Sequence, residues 1–216
     1  MSKEITKEEV VAVIWSLHPD KVPGPEGFTI AFFKSHWYTI RKDFLRMVKN
    51  VFKKKKNRKQ QKILLPRPNP PTSTFIKYRP ISLCNSSYKI ITKIIANRIK
   101  EVLPIIISEN QGGFVPNRQI IDNVIIVQEV VHSSMLRQEK GLIIKLDMAN
   151  AFDRVSHPYL MAIVQKLGFS REIVGFIQAC ISTPWIVPLV NGSPNYFFHS
   201  TRGLGKVFLS PPSYTL

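Results

Sequence analysis

Apolar positions along this chain repeat mostly with a helical period. Val10, Val13, Ile14 and Leu17 recur at intervals of three and four, the spacing of one helix face. Thr6 with Glu9 makes a capping box ahead of them, so a helix is predicted over about 6–18. "DKVPGPEGF" (Asp20–Phe28) ends it with two prolines and two glycines. Phe28–Val51 returns to the helical period and is rich in aromatics; Phe32, Phe33, Trp37, Phe44 and Phe52 read as core rather than as a base-stacking platform. Further helices are predicted over Ser86–Leu103, with Tyr88, Ile91, Ile94, Ile95 and Ile99 on one side, over Asp122–Arg137, over Ser156–Leu167 with Gly168 to end it, and over Ser170–Ser182. Strand signals are fewer. "ILLPR" and "YRPISL" flank a proline-rich stretch, Pro66–Pro71, and Trp185–Val190 and Tyr196–Ser200 are joined through "NGSPN", in which Asn-Gly signals a hairpin. In "LIIKLDMANAFDRV" (Leu142–Val155) an apolar, β-branched run reads as a strand ending in Asp147, with Phe152 five residues later. No internal repeat is present.

Composition sharpens this outline. The chain has 216 residues, 44% of them hydrophobic, which excludes a disordered segment. Its net charge of +17 calls for a polyanionic partner. The charge is uneven: residues 1–100 hold 22 Lys and Arg against 6 Asp and Glu, and residues 101–216 hold 9 against 8. Lys49–Lys62 ("KNVFKKKKNRKQQK") has eight basic residues and no acid. Its Lys53, Lys54, Lys55, Lys56, Arg58 and Lys59 read either as a solvated loop or as a nucleic-acid or nuclear-import patch. No strongly amphipathic basic helix stands out as a membrane-surface element. Cys84 and Cys180 give neither a disulfide framework nor zinc spacing and read as buried free thiols. The charged Met1–Val10 is no signal peptide, and no apolar run has the length of a membrane span. An intracellular location follows as the expectation, possible nuclear import resting on the basic run.

On its own, Asp147 fits a turn or cap as well as a ligand. Several motifs in one order change that: "KVPGPEGF", "YRPISLCN", "SENQGGFVPNRQIIDN", "KLDMANAFDRV" and "LVNGSPNYFFHSTRGL". Together, over about residues 5–204, they resemble the reverse transcriptase of LINE-type non-LTR retrotransposons, plant versions most closely. The resemblance implies an α+β fold, an incomplete right-hand polymerase. Residues 1–140 would be a basic, helical fingers-like region containing a basic and proline-rich loop at 49–75. Residues 141–204 would be a partial palm with a small antiparallel sheet.

The resemblance also implies roles. Asp147 matches the first metal-binding aspartate, for Mg2+ or Mn2+, and the backbone carbonyl of Met148 a further ligand. Phe152 matches the steric gate that disfavours a 2′-hydroxyl. Arg79, with help from Arg67, matches the contact to the incoming triphosphate. Gln111, Phe114 and Arg118 match the segment near template and nucleotide, although Phe114 could simply pack and Arg118 could pair with Asp122. The implied partners are an RNA template, a DNA primer and dNTP, with no membrane.

The chain departs from the family at several points. Lys53–Lys62 is more basic and shorter than the family pattern, Gly112, Gly113 and Asn117 replace other residues, and "KAFD" stands as "NAFD" with Asn150. The family's "RGLRQGDPLSP" stands as "RGLGKVFLSPPSYTL", as a single-nucleotide deletion after Leu204 would produce, which makes residues 205–216 an out-of-frame tail. After Asp153 the chain has one acidic residue, Glu172, fewer carboxylates than a two-metal site uses. The expectation is therefore a polymerase fragment inactive as it stands, or a non-catalytic nucleic-acid-binding remnant.

Overall fold

A computed structural model of the chain describes residues 4–54, 60–67, 79–148, 151–190 and 193–204. The elements run α1 (Lys7–Ser16), α2 (Ile30–Ser35), α3 (Trp37–Lys54), β1 (Gln60–Arg67), β2 (Arg79–Cys84), α4 (Ser86–Lys100), α5 (Leu103–Ile106), α6 (Ile120–Leu136), α7 (Ala151–Arg154), α8 (His157–Lys166), α9 (Arg171–Ser182), β3 (Pro184–Val190), β4 (Ser193–Pro194) and β5 (Phe198–His199). They divide into two compact units, residues 1–95 with 152–210, and residues 96–151 with 211–216.

The first unit holds the main core. The Thr6 hydroxyl accepts from the Glu9 amide and starts α1, as its capping pattern requires, and Val10, Val13, Ile14 and Leu17 are all buried. The long aromatic helix breaks in two: Thr29 caps α2, which ends at His36 before α3 begins. Phe33 and Phe44 are buried in edge-to-face contact, and Phe52 stacks on Phe176 of α9 at 4.3 Å, so the aromatics pack as core. Tyr88, Ile90, Ile91, Ile94 and Ile95 of α4 complete it with Val174, Ile177, Cys180 and Ile181 of α9. Cys84 and Cys180 are buried thiols that form no disulfide.

The sheet has the order β2-β1-β3-β4, with β5 also on β3. The pairs β1–β2, β3–β4 and β3–β5 are antiparallel, and β3 adds one parallel contact to β1. Val190 pairs with Ser193, the register of a two-residue Asn-Gly connection.

α3 differs from the sequence expectation. It is amphipathic and basic: Phe44, Val48 and Val51 are buried on one face, while Lys42, Arg46, Lys49 and Lys53 are exposed. Because the apolar face is already spent on the core, the helix has none left for a lipid surface. Among the described residues no helix is long and apolar enough to cross a membrane.

The second unit leaves its longest helix uncovered. No residue of α6 is buried, and Ile120, Ile121, Val124, Ile125, Ile126, Val127 and Val130 are exposed. Residues 141–148, expected as a strand, form none, and Leu142, Ile143, Ile144 and Leu146 are exposed. Apolar side chains on both faces and unpaired backbone edges make a strand only when neighbours supply a ladder and cover, and no described strand pairs here.

Candidate active site

Four groups of residues carry the chemistry. The first is the β1–β2 hairpin. Its register runs from Lys62 opposite Cys84 to Arg67 opposite Arg79, so two arginine positions face each other at the end where residues 68–78 join the two strands. Residues 55–59 and 68–78 lie outside the described residues, and with them Lys55, Lys56, Arg58 and Lys59 of the basic run. Lys54 is the last residue of α3, and Lys53 is exposed on the same helix.

Behind this hairpin lies a contact that the sequence did not announce. The "KVPGPEGF" loop straps over the corner between β2 and α4. The Glu26 carboxylate accepts from the Ser86 amide at 2.5 Å, from the Ser87 amide at 3.4 Å and from the Ser87 hydroxyl at 3.4 Å. A carboxylate there caps the first turn of α4 and complements its dipole. Ser86 Oγ donates to the Phe28 carbonyl at 2.6 Å, and Lys89 Nζ to the Val22 carbonyl at 2.5 Å. Burial holds the Lys89 ammonium below its ordinary pKa. Gly24 is what permits the approach: a Cβ there would lie 2.4 Å from both Asn85 N and Cys84 C. Beneath the corner the Tyr88 phenol donates to the Cys180 carbonyl at 2.5 Å. Burial, followed by the neighbouring Cys180 and Cys84 thiols, pushes that phenol well above its ordinary range.

The third group surrounds Phe152 in α7. The Leu204 amide donates to the Phe152 carbonyl at 3.0 Å and the Gly203 amide to the Val155 carbonyl at 2.8 Å. His157 Nε2 donates to the Gly203 carbonyl at 2.9 Å, which sets the ring's tautomer. Gly203 has φ +86, and a Cβ on it would lie 3.1 Å from the Asp153 carbonyl, so "TRGL" is bound tightly to "AFDRVSH". Phe152 itself is 44% exposed.

The fourth group is in the second unit. Asp147 and Met148 are exposed on the unpaired segment 141–148. A carboxylate and a backbone carbonyl are hard oxygen donors, right in kind for a hard divalent cation but too few to fill its sphere. Among the described residues no group of three or more His, Cys, Asp and Glu comes together. Gln111 Nε2 donates to the Gly113 carbonyl at 3.1 Å. Phe114 is 51% exposed at φ +65. Arg118 does not pair with Asp122, whose carboxylate accepts from the Gln119 amide at 3.1 Å. Its two terminal nitrogens donate instead to four backbone carbonyls, those of Pro104, Ile107, Ser108 and Gln111.

The exposed stripe Lys42, Arg46, Lys49 and Lys53 escaped the sequence reading, although steps of four, three and four place these residues on one helix face. The contacts of Glu26, His157 and Gly203 had no local signal, because their partners lie 46 or more residues away.

Comparison with known proteins agrees with the motifs. The family described as "Reverse transcriptase (RNA-dependent DNA polymerase)" matches residues 44–205. The chain is 33% identical over 194 residues to the "Transposon TX1 uncharacterized 149 kDa protein" of Xenopus laevis, covering 88% of this chain and 15% of that protein. It is 29% identical over 185 residues to the "Probable RNA-directed DNA polymerase from transposon BS" of Drosophila melanogaster, covering 82% of this chain and 20% of that protein. It thus spans a fifth or less of the length of these relatives, and it belongs to the reverse transcriptase family.

Proposed function

We propose that this chain is the nucleotide- and template-handling part of a LINE-type retrotransposon RNA-directed DNA polymerase. The observation that carries the reading is the β1–β2 register, which sets Arg67 opposite Arg79 in a chain of this family. Directly opposite positions of an antiparallel pair belong to one face of the sheet, and arginine is the residue whose planar fork matches the oxygens of a triphosphate. Residues 1–140 act as fingers and 141–204 as part of the palm. Reverse transcriptases use divalent metal ions. Here Asp147 and the Met148 carbonyl would contribute to holding Mg2+ or Mn2+, which neutralises phosphate charge when bound. Phe152 rejects a 2′-hydroxyl by bulk, Gln111 and Phe114 face the template, and the basic run Lys53–Lys59 meets nucleic-acid phosphates and serves nuclear import.

The test is calorimetric titration of the 216-residue chain with dTTP in Mg2+. Arg79→Ala is expected to weaken binding by about tenfold, the loss of a charge-assisted hydrogen bond. Asp147→Ala is expected to remove the Mg2+ dependence. Equal affinity in wild type and both variants would refute the reading.

A second reading, a non-catalytic nucleic-acid-binding remnant, is favoured by the exposed stripe Lys42, Arg46, Lys49 and Lys53 on α3. An oligo(dT)·poly(rA) hybrid separates the two. Extension that Asp147→Ala abolishes supports catalysis by this chain. Binding with a steep salt slope and no extension in Mg2+ or Mn2+ supports the remnant.

A further inference from the structure

The outer face of α3 carries charge that the fold does not use. Lys42, Arg46, Lys49 and Lys53 are exposed, while Phe44, Val48 and Val51 are buried. At about 100° per residue the four cations fall within an arc of roughly 60°, opposite the buried three. They span about 16 Å of helix axis at ~1.5 Å per residue. One acid, Asp43, lies on the helix. Its ion pair with Arg46, at 3.3 Å between exposed side chains, is worth little in water. Among the described residues Lys42, Lys49 and Lys53 make no hydrogen bond or ion pair. Two other lysines of this unit behave differently. Lys34 Nζ donates to the Trp15 and Leu17 carbonyls at 3.1 and 2.8 Å, and Lys89 Nζ to the Val22 carbonyl at 2.5 Å. Those two cations tie segments of the chain together. The α3 cations tie nothing, and like charges three and four residues apart disfavour the helix that carries them. A bound polyanion removes that cost.

The aromatic residues of α3 narrow the kind of polyanion. A single strand is held by a basic track together with rings on which successive bases stack. Every ring of α3 already has a neighbour. Trp37 meets Trp15 at 6.3 Å, Phe44 meets Phe33 at 5.1 Å and Phe52 stacks on Phe176 at 4.3 Å. Tyr38, at the head of the stripe, has the Arg41 guanidinium over its ring at 4.3 Å. The helix thus offers a track of charge without a stacking platform. A duplex asks for that combination, because its bases are paired inside and its phosphates lie outside. Each strand of a duplex carries one charge per ~3.4 Å of axis, so about 16 Å of helix passes four or five phosphates. A lipid surface would need an apolar face beside the charges, and that face of α3 is buried in the core.

We propose that Lys42, Arg46, Lys49 and Lys53 form a docking track for the sugar-phosphate backbone of one strand of a nucleic-acid duplex, independent of its sequence. The proposal rests on the reading of the chain as a nucleic-acid-handling part of a reverse transcriptase. It names the form of nucleic acid that this face takes, and it makes the track separate from the arginines of the β1–β2 hairpin.

The experiment measures binding of the 216-residue chain to a 16-base-pair DNA duplex and to one of its single strands across a salt series. A lost phosphate contact lowers the salt slope by about 0.9 on a duplex. Lys42→Gln, Lys49→Gln and Lys53→Gln combined should lower the duplex slope by about 2.7, and adding Arg46→Gln by about another 0.9. The single-strand slope should fall by less than one contact's worth. Lys7→Gln, Lys140→Gln and Lys166→Gln remove the same charge at exposed sites elsewhere and should leave the duplex slope unchanged. A duplex of unrelated sequence should behave as the first does. Tyr38→Ala should leave both slopes and both affinities unchanged. Trp15, Trp37 and Trp185 lie in the same unit as α3, so unchanged urea midpoints by tryptophan fluorescence verify that the variants keep its fold.

A wild-type duplex slope in the triple variant would overturn the proposal, because the stripe is then only a solvated face. An equal loss in the two triple variants would overturn it as well, since net charge alone then explains binding. A larger loss on the single strand than on the duplex, or a tenfold loss of single-strand affinity in Tyr38→Ala, would reassign the face to unpaired nucleic acid. In each of these cases Arg79-dependent binding of dTTP leaves the polymerase reading standing. A wild type that binds neither duplex, single strand nor dTTP refutes that reading, and the inference with it.

Discussion

Three glycines in the first unit allow the strap over the β2–α4 corner to be tested by subtraction. Adding a methyl at Gly24 puts Cβ 2.4 Å from Asn85 N and 2.4 Å from Cys84 C, both of them backbone atoms. Ordinary carbon contacts lie at about 3.5–4.0 Å, so strap and corner must separate by roughly 1 Å. That opens the 2.5 Å bond from the Ser86 amide to Glu26 beyond hydrogen-bonding range. Overpacking costs about 1–3 kcal/mol, and losing the charge-assisted cap about another 1.5–3. Gly24→Ala is therefore expected to destabilise by about 3–5 kcal/mol, a large share of a typical ~5–15 kcal/mol total. Gly27 has open space but φ +76, so Gly27→Ala should cost about 1–2 kcal/mol of backbone strain. Gly175 lies inside α9 with nothing in the way of a Cβ, so Gly175→Ala should stabilise by about 0.5–1 kcal/mol. Urea titration read by tryptophan fluorescence follows all three, since every tryptophan lies in the same unit as these glycines. With an m-value of about 1–3 kcal/mol per M, Gly24→Ala should lower the midpoint by more than about 1 M. A Gly24→Ala midpoint no lower than that of Gly27→Ala would refute the strap as a close-packed contact.

Further predictions concern the same corner and the open unit. Tyr88→Phe should cost about 1–2 kcal/mol near neutral pH through the lost bond to the Cys180 carbonyl. Because the folded phenol titrates above its ordinary value of about 10, its contribution is full below that pH and is lost as pH rises through the raised value. Wild type should therefore lose stability faster than Tyr88→Phe above about pH 10, and parallel alkaline limbs in urea titrations would contradict the assignment. Glu26→Gln keeps an acceptor over Ser86 but loses the charge at the helix start, so it should cost about 0.3–1 kcal/mol, less than Glu26→Ala in the same titration. The exposed apolar residues of α6 should make the native chain bind a hydrophobic dye and self-associate with concentration. The pair Ile121→Lys and Ile125→Lys should reduce both, and a dye-silent, monomeric wild type in sedimentation would count against that surface.

Local signals in the sequence carried well into the structure. Thr6 and Glu9 are three residues apart, and their bond forms as the capping pattern requires. The apolar stripe of α1 is buried, and the segments flanking the proline-rich stretch pair as strands. The Asn-Gly signal marks a hairpin, but its return strand starts earlier than expected: β4 is Ser193–Pro194, and the strand expected over Tyr196–Ser200 shortens to β5, Phe198–His199. What failed to carry is what depends on a distant partner. The run before Asp147 has strand composition, yet composition supplies neither the ladder nor the cover that a two-faced apolar strand needs, and residues 141–148 form no strand. The basic face of α3 was legible in its spacing but was masked by the aromatics interleaved with it. The tail after Leu204 lies outside the described residues.

Arg118 shows why motif identity and side-chain role separate. A basic residue in a segment near template and nucleotide invites a phosphate or a carboxylate as its partner, because charge is what a sequence displays. The backbone displays nothing in sequence, yet it holds most of a protein's acceptors. α5 is one turn long and ends in carbonyls that need donors. A guanidinium 14 residues beyond Pro104 supplies four of them at once, while Asp122, the alternative ion partner, is taken by the Gln119 amide. The same logic explains Glu26. Its charge addresses the first amides of α4, 60 residues on. In both cases a charged residue within a family motif serves the backbone that shapes the site. Removing it should therefore change geometry before it changes electrostatics.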